Sequence, residues 1–130
     1  MTGYLLDTHA LIWWMCVSPQ LPERARSVIE DPTADTFVSS ISAYEIALKH
    51  RVGKLPITNE LLQSYQTDLN AVGLRELAIS TEHALAAGRL DLTHRDPFDR
   101  LLIAQAKLEN LTLISNERLF DQFGVARLWD

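Results

Sequence analysis

The chain has 130 residues, a net charge of −5 and 47% hydrophobic residues. These values favour one folded domain over residues 1–130 and exclude a largely disordered chain. The single cysteine, Cys16, excludes an internal disulfide bond. The apolar stretch near the N-terminus contains Asp7 and His9 and has no basic leader, so we expect a cytoplasmic protein with no signal peptide and no membrane span.

Apolar segments with strand character alternate along the chain with segments of helical periodicity. Short apolar or β-branched runs predict strands at residues 4–7, 36–39, 74–79, 111–115 and 126–129. Apolar residues at helical spacing predict helices at residues 10–17, 23–30, 42–53, 58–71, 81–90 and 96–109. This alternation predicts an α/β fold, a three-layer α/β/α sandwich around a mostly parallel sheet.

Three helices carry sequence signals for where they begin. Ser42 and Glu45 form the S-x-x-E pattern of a capping box, which predicts a helix start at Ser42. Thr81 is the expected cap of the helix at 81–90, and Asp96, directly before a proline, is most simply the N-cap of the helix at 96–109. Taken alone, Glu45 is therefore more simply explained as a capping partner than as a ligand.

Four acidic residues fall where an open α/β sheet binds its ligands, beyond the carboxyl ends of the strands. Asp7 ends the first predicted strand, Glu45 and Asp99 each lie one turn into a helix, and Glu117 follows the strand at 111–115. Converging carboxylates repel one another unless a cation neutralises them, and Mg²⁺ and Mn²⁺ prefer such oxygen ligands. The pattern suggests an acidic metal site that could act on a phosphate ester.

Each of these acids also has a simpler explanation that the sequence leaves open. Asp7 could serve only as a helix N-cap. Asp99 could simply be an acid in the first turn of a helix, where the helix dipole favours a negative charge. Glu117 is the weakest candidate, because acidic residues are common in surface loops. The histidines show no paired zinc spacing; His94, close to Asp96, could touch substrate or lie in solvent.

Four segments together resemble one known family, the PIN domain, in the VapC-like toxin branch of bacterial toxin–antitoxin systems. They span nearly the whole chain in the expected order, at residues 5–14 (LLDTHALIWW), 38–55 (VSSISAYEIALKHRVGKL), 94–106 (HRDPFDRLLIAQA) and 113–125 (LISNERLFDQFGV). The resemblance implies an α/β/α sandwich with a parallel sheet and the activity of a metal-dependent ribonuclease.

The resemblance also assigns roles to residues. Asp7, Glu45 and Asp99 match the first three acids of the family, and these four-acid sites hold one or two Mg²⁺ or Mn²⁺ ions. The fourth family position is usually aspartate, so Glu117 is a departure. Ser115 matches the small hydroxyl residue that often lies near the metal. A small antitoxin and a homodimeric partner are implied as well, with RNA as substrate.

Further residues are candidates for contacts with substrate or for support of the acids. Basic side chains flank the acidic segments and could hold RNA phosphates, although a solvated helix face explains the group at residues 49–54 equally well. The candidates are Thr8, Lys49, His94, Arg95, Asp96, Arg100 and Ser115.

Other functions remain possible from sequence alone. A PIN-fold protein could bind RNA or a protein partner without cleaving it, and the exchange at Glu117 keeps this alternative open. A phosphatase would need D-x-D where the chain has Asp7-Thr8-His9. A nucleotide-binding fold is weaker still, because neither G-x-G-x-x-G nor a P-loop pattern occurs.

Overall fold

A computed structural model describes residues 3–91 and 96–130 of the chain. Within these ranges five strands form one parallel sheet in the order β3-β2-β1-β4-β5. The strands are β1 (Gly3–Leu6), β2 (Asp35–Ser39), β3 (Arg75–Leu77), β4 (Leu111–Ile114) and β5 (Arg127–Leu128). The order changes direction at β1, so the carboxyl ends of β1, β2 and β4 share the edge where such sheets bind ligands.

Helices connect the strands, as the alternating pattern predicts. They are α1 (Thr8–Met15), α2 (Glu23–Ile29), α3 (Ser40–Arg51), α4 (Asn59–Gln63), α5 (Tyr65–Ala71), α6 (Thr81–Arg89) and α7 (Pro97–Leu108), followed by a 3₁₀ helix at Arg118–Phe123. In the described ranges, none of these helices combines the length and the apolar character needed to span a membrane.

The core lies on both faces of the sheet, which confirms the predicted three layers. Successive strand residues point to opposite faces. Leu6 of β1 packs in one buried cluster with Leu11 of α1 and Ile46 of α3. Its neighbour Leu5 packs in a second cluster that includes Ile103 of α7. All five side chains are at least 99% buried, so β1 is the central strand of a sheet covered on both sides.

The single helix predicted at 58–71 is wrong, because the chain breaks at Ser64. The Ser64 hydroxyl donates a hydrogen bond to the Asp68 carboxylate at 2.8 Å and contacts the Leu61 carbonyl at 3.4 Å. Serine side chains compete with the backbone in this way and interrupt helices. The segment therefore forms two short helices, α4 and α5, on either side of Ser64.

Three helices begin, or have their caps, earlier than predicted. Helix α1 begins at Thr8 rather than at residue 10. The N-cap of α3 is Ser39, so the capping box predicted from Ser42 and Glu45 is wrong. Ser42 is buried, and Glu45 lies in the middle of α3. Ser80 rather than Thr81 caps α6. The predicted N-cap at the start of α7, in contrast, is confirmed.

Candidate active site

A pocket of about 360 Å³ opens at the carboxyl edge of β1, β2 and β4. It is rich in acidic side chains and contains the four acids singled out in the sequence. Its lining consists of Asp7, His9, Trp13, Glu45, Lys49, Asp96, Asp99, Asn116 and Glu117. The fold therefore brings residues from four separate parts of the chain to one concave surface.

Asp7 lies at the floor of this pocket, where β1 passes into α1. Its backbone N–H donates to the Ile114 carbonyl at 3.0 Å, which extends the β1–β4 pairing by one bond. Its carboxylate accepts the backbone N–H of His9 at 3.3 Å as the N-cap of α1, and the Ser115 hydroxyl at 2.6 Å. The side chain is almost fully buried, and burial raises the pKa of Asp7 despite these hydrogen bonds. The nearby Glu45 carboxylate raises it further.

Glu45 reaches the same pocket from α3. The helix is fixed against α1 by a buried hydrogen bond of 2.8 Å between the hydroxyls of Thr8 and Ser42. One turn further along α3, the Glu45 carboxylate forms a hydrogen-bonded ion pair with the ammonium group of Lys49. Since Glu45 is only 6% exposed, this ammonium supplies the compensation that a buried charge requires.

Ser115 links Asp7, directly after β1, to Glu117 in the loop after β4. Its hydroxyl donates to Asp7 and accepts the backbone N–H of Glu117 at 3.0 Å. Glu117 in turn caps the 3₁₀ helix, where its carboxylate accepts the N–H of Leu119 at 3.0 Å. The Ser115 carbonyl accepts the Arg127 guanidinium at 3.1 Å. A single buried hydroxyl thus sets the position of Asp7 relative to the loop that carries Glu117.

Asp96 and Asp99 line the opposite side of the pocket, at the start of α7. The Asp96 carboxylate accepts the N–H groups of Phe98 at 2.9 Å and Asp99 at 3.4 Å, as an N-cap does. Asp99 is half-buried and lies in the first turn of the same helix. The capping role explains Asp96, whereas Asp99 lies in the first turn of α7 and also lines the pocket.

Arg100 fixes the two helices that border this side of the pocket. Its guanidinium donates to the carbonyls of Ala87 at 3.1 Å, Gly88 at 3.3 Å and Leu90 at 2.8 Å, at the C-terminal end of α6. These bonds satisfy carbonyls that a helix end leaves unpaired. The candidates His94 and Arg95 lie outside the described residues.

The donor types of the pocket suit a hard divalent cation, but the carboxylates are directed to other partners. Asp7, Glu45, Asp96 and Glu117 each bond to a hydroxyl, an ammonium or a backbone N–H. In the arrangement seen here, no three histidine, cysteine or acidic side chains among residues 3–91 and 96–130 form a group that could hold a metal ion. The four carboxylates keep lone pairs beyond these bonds, so their chemistry still suits a divalent cation.

Three lining residues were not selected from the sequence. His9 and Trp13 extend from α1, and their rings lie 6.0 Å apart between centroids; Asn116 follows β4. Trp13 also packs against Trp129, with 5.7 Å between the ring centroids, and against the core. His9 and Trp13 are four residues apart and therefore lie on one face of α1. This spacing was the signal available in the sequence.

The sequence model of the PIN domain matches residues 4–126, nearly the whole chain. The chain belongs to the PIN domain family. Solved structures agree with this assignment at the level of the fold. A chain of VapBC2 from Rickettsia felis, bound to a promoter DNA fragment, is 22% identical with a TM-score of 0.71, over 99% of this chain and 100% of that chain.

Two further structures have the same PIN fold. A chain of FitAcB from Neisseria gonorrhoeae is 22% identical, with a TM-score of 0.67 and 96% of each chain covered. A toxin–antitoxin complex from Klebsiella pneumoniae contains a chain with 19% identity and a TM-score of 0.61, over 88% of this chain and 87% of that chain. No curated protein sequence matches. The resemblance inferred from the four sequence segments is thereby confirmed for the family and the fold.

Proposed function

We propose that this PIN domain is a metal-dependent endoribonuclease that uses Mg²⁺ or Mn²⁺. The observation that carries the proposal is the buried carboxylate of Asp7 at the floor of a pocket lined by four other acids. A desolvated acid facing further acids is costly, and such an arrangement is typical of sites that bind a cation. PIN nucleases generally use divalent metals, which fits the donor set.

The chain's own residues have distinct roles in this proposal. Asp7 and Asp99 would anchor one or two cations, with Glu45 and Glu117 as further ligands, directly or through water. Ser115 holds the Asp7 carboxylate in place through its 2.6 Å hydrogen bond. A bound divalent cation would supply positive charge at the scissile phosphate and acidify the attacking water. No protein general base is then required.

The products follow from the nucleophile. Attack by water on an RNA phosphodiester leaves a 5′-phosphate and a 3′-hydroxyl. Attack by the neighbouring 2′-hydroxyl would leave a 2′,3′-cyclic phosphate instead. We therefore expect RNA fragments with 5′-phosphate ends, and a cyclic phosphate end would contradict the proposed chemistry.

We further propose that the protein acts in the cytoplasm as the toxin of a toxin–antitoxin pair, as a homodimer controlled by a small antitoxin. The support is the likeness of fold to chains from VapBC2 and from a toxin–antitoxin complex, together with family membership. Coexpression with the protein encoded beside its gene, followed by size-exclusion chromatography, tests the partner and the oligomeric state.

One observation favours a second candidate, a PIN domain that binds RNA or a protein without cleavage. Glu117 stands where the family usually has aspartate, and its carboxylate is engaged in capping the 3₁₀ helix. A glutamate held in this way could fail to complete a metal site. An RNA-cleavage assay separates the two candidates, because RNA binding without cleavage supports only the second.

The deciding experiment is cleavage of total RNA by the purified protein with Mg²⁺, with Mn²⁺ and with a chelator. Asp7→Asn and Asp99→Asn should abolish cleavage while the protein stays folded. Asp35→Asn is the matched control, because Asp35 begins β2 and lies at the opposite edge of the sheet. Cleavage that survives both pocket variants, or that ignores the chelator, would contradict the proposal.

A further inference from the structure

Lys49 is the one ammonium or guanidinium group that lines the acidic pocket within the described part of the chain. It lies one turn after Glu45 on α3 and bonds directly to the Glu45 carboxylate. The Glu45 side chain is 8% exposed and the Lys49 side chain 35%. The carboxylate of this ion pair is therefore buried, whereas the lysine side chain is partly exposed to solvent.

The charge of the pocket makes this pair more than an ordinary helix contact. Five carboxylates line the pocket, and the ammonium of Lys49 is bonded to one of the two that are deeply buried. Exposed pairs at this spacing contribute little to stability, but a buried carboxylate left without a cation is strongly destabilising. Lys49 thus compensates the buried charge of Glu45 when no metal ion is bound.

The same contact conflicts with metal binding. An ammonium group and a divalent cation on one carboxylate repel each other strongly at contact distance, and the repulsion grows in a partly desolvated pocket. Lys49 has a long, flexible and partly exposed stem, so it can turn outward without moving α3. Glu45 cannot turn as freely, because it is buried in the middle of the helix.

We propose that Lys49 is a positioning residue that holds the place of the catalytic cation beside Glu45 and must leave that carboxylate when the ion binds. This inference rests on the proposed metal-dependent function and adds a competition built into α3. Lys49 stabilises the metal-free protein and lowers its affinity for divalent ions.

The test measures Mn²⁺ binding by electron paramagnetic resonance or calorimetry, without RNA. Lys49→Met should bind Mn²⁺ about tenfold more tightly than the natural protein, because the competing charge is gone. Lys49→Arg keeps the charge and should retain the weaker affinity. Lys107→Met is the matched control, since Lys107 lies in the last turn of α7 and does not line the pocket.

A second measurement guards against a folding defect in the variant. In chelator, Lys49→Met should unfold at a lower urea concentration than the natural protein, and Mn²⁺ should restore more stability to it. Glu45→Gln combined with Lys49→Met should remove that sensitivity, because the buried charge is gone as well.

The outcomes separate this inference from the proposed function. If Asp7→Asn weakens Mn²⁺ binding but Lys49→Met binds no more tightly than the natural protein, the competition is wrong and the metal site stands. If neither the natural protein nor any variant binds Mn²⁺, both proposals fail. Tighter binding by Lys49→Met alone, with Lys49→Arg and Lys107→Met unchanged, supports the competition.

Discussion

The two sides of the acidic pocket differ in what their carboxylates do for the fold. On the inner side, Asp7 and Glu45 are 4% and 6% exposed. On the outer side, Asp96 and Glu117 are exposed, and each caps a helix through backbone N–H groups. An exposed capping acid needs no further explanation. A buried acid does, since a neutral asparagine or serine would cap α1 without the cost of burying charge.

The buried acids of the inner side therefore carry the stronger evidence for a function. The capping roles of Asp96 and Glu117 would suit a protein without catalytic activity, so the presence of these two acids alone supports no chemistry. The inner acids are retained against a desolvation penalty that raises the pKa of Asp7. Variants that remove charge from one side at a time therefore test this distinction.

The largest effect is expected from Asp7→Asn on the inner side. If Asp7 is a direct metal ligand, as proposed, its loss should lower RNA cleavage by at least about 100-fold. Asparagine caps a helix about as well as aspartate, so the free energy of unfolding should change by less than about 1 kcal/mol. Cleavage assays and urea denaturation of the same preparation check the two halves of the prediction. A large loss of stability would mean that Asp7 is structural, which would remove the contrast between the two sides.

The next effect concerns the hydrogen bond that joins the helices carrying the inner acids. The Thr8 and Ser42 hydroxyls lie 2.8 Å apart and are buried. Ser42→Ala leaves the Thr8 hydroxyl buried without this partner, which should cost about 1–3 kcal/mol of unfolding free energy. Urea denaturation of Ser42→Ala, Thr8→Val and the double variant gives the coupling energy.

The double variant supplies the control for that cycle. If the two hydroxyls stabilise each other, the double variant should be more stable than the sum of the single losses predicts. Additive losses would show that α1 and α3 are held together by apolar packing alone. In that case the positions of Asp7 and Glu45 would not depend on this bond.

Asp96 tests the outer side, where we expect a cost in stability and little in chemistry. Asp96→Ala should lower the free energy of unfolding by about 1 kcal/mol, because two N–H groups of α7 lose their acceptor. Asp96→Ser keeps a capping oxygen without the charge and should restore most of that stability. RNA cleavage by Asp96→Ser should stay near the natural level, and a loss as large as that of Asp7→Asn would show that Asp96 itself acts in the reaction.

The sequence predicted the elements that depend on periodicity and missed those that depend on a particular side chain. The β1 strand and helix α7 follow from apolar patterns, and the cap of α7 follows from a proline directly after Asp96. The break at Ser64 and the early start of α3 at Ser40 depend on individual hydrogen bonds of serine residues. Serine occurs in too many contexts for its partner to be read from a single sequence.

The candidate site shows the same division. Asp7, Glu45, Asp99 and Glu117 follow from their positions at strand ends and from the four family segments, and the pocket contains all four. The S-x-x-E pattern at residues 42–45 predicted the wrong partner for Glu45. Its carboxylate pairs with the ammonium group of Lys49, one turn later on α3, and not with the backbone at Ser42. Local patterns identify which groups are able to interact, and only the packed helix decides which of them do.

The smallest effect is expected at Asp121, an exposed acid that lies outside the pocket and serves as a reference for both sides. Its carboxylate accepts two hydrogen bonds from the Arg127 guanidinium, at 2.9 and 3.1 Å. These bonds lower the pKa of Asp121, the opposite of the effect of burial on Asp7. A carboxyl whose pKa is lower in the folded protein stabilises the fold above its ordinary pKa and ceases to do so as the pH falls through its folded pKa.

Asp121→Asn should therefore be slightly less stable than the natural protein at neutral pH, and the difference should disappear in acid. Urea denaturation at several pH values from neutral down to about pH 2, below the lowered pKa of a hydrogen-bonded carboxyl, measures this. Cleavage should change little, because Asp121 does not line the pocket, although Arg127 also donates to the Ser115 carbonyl. If cleavage falls as far as in Asp7→Asn, the support of Ser115 by Arg127 matters as much as the inner acids, and burial no longer distinguishes the acids on which cleavage depends.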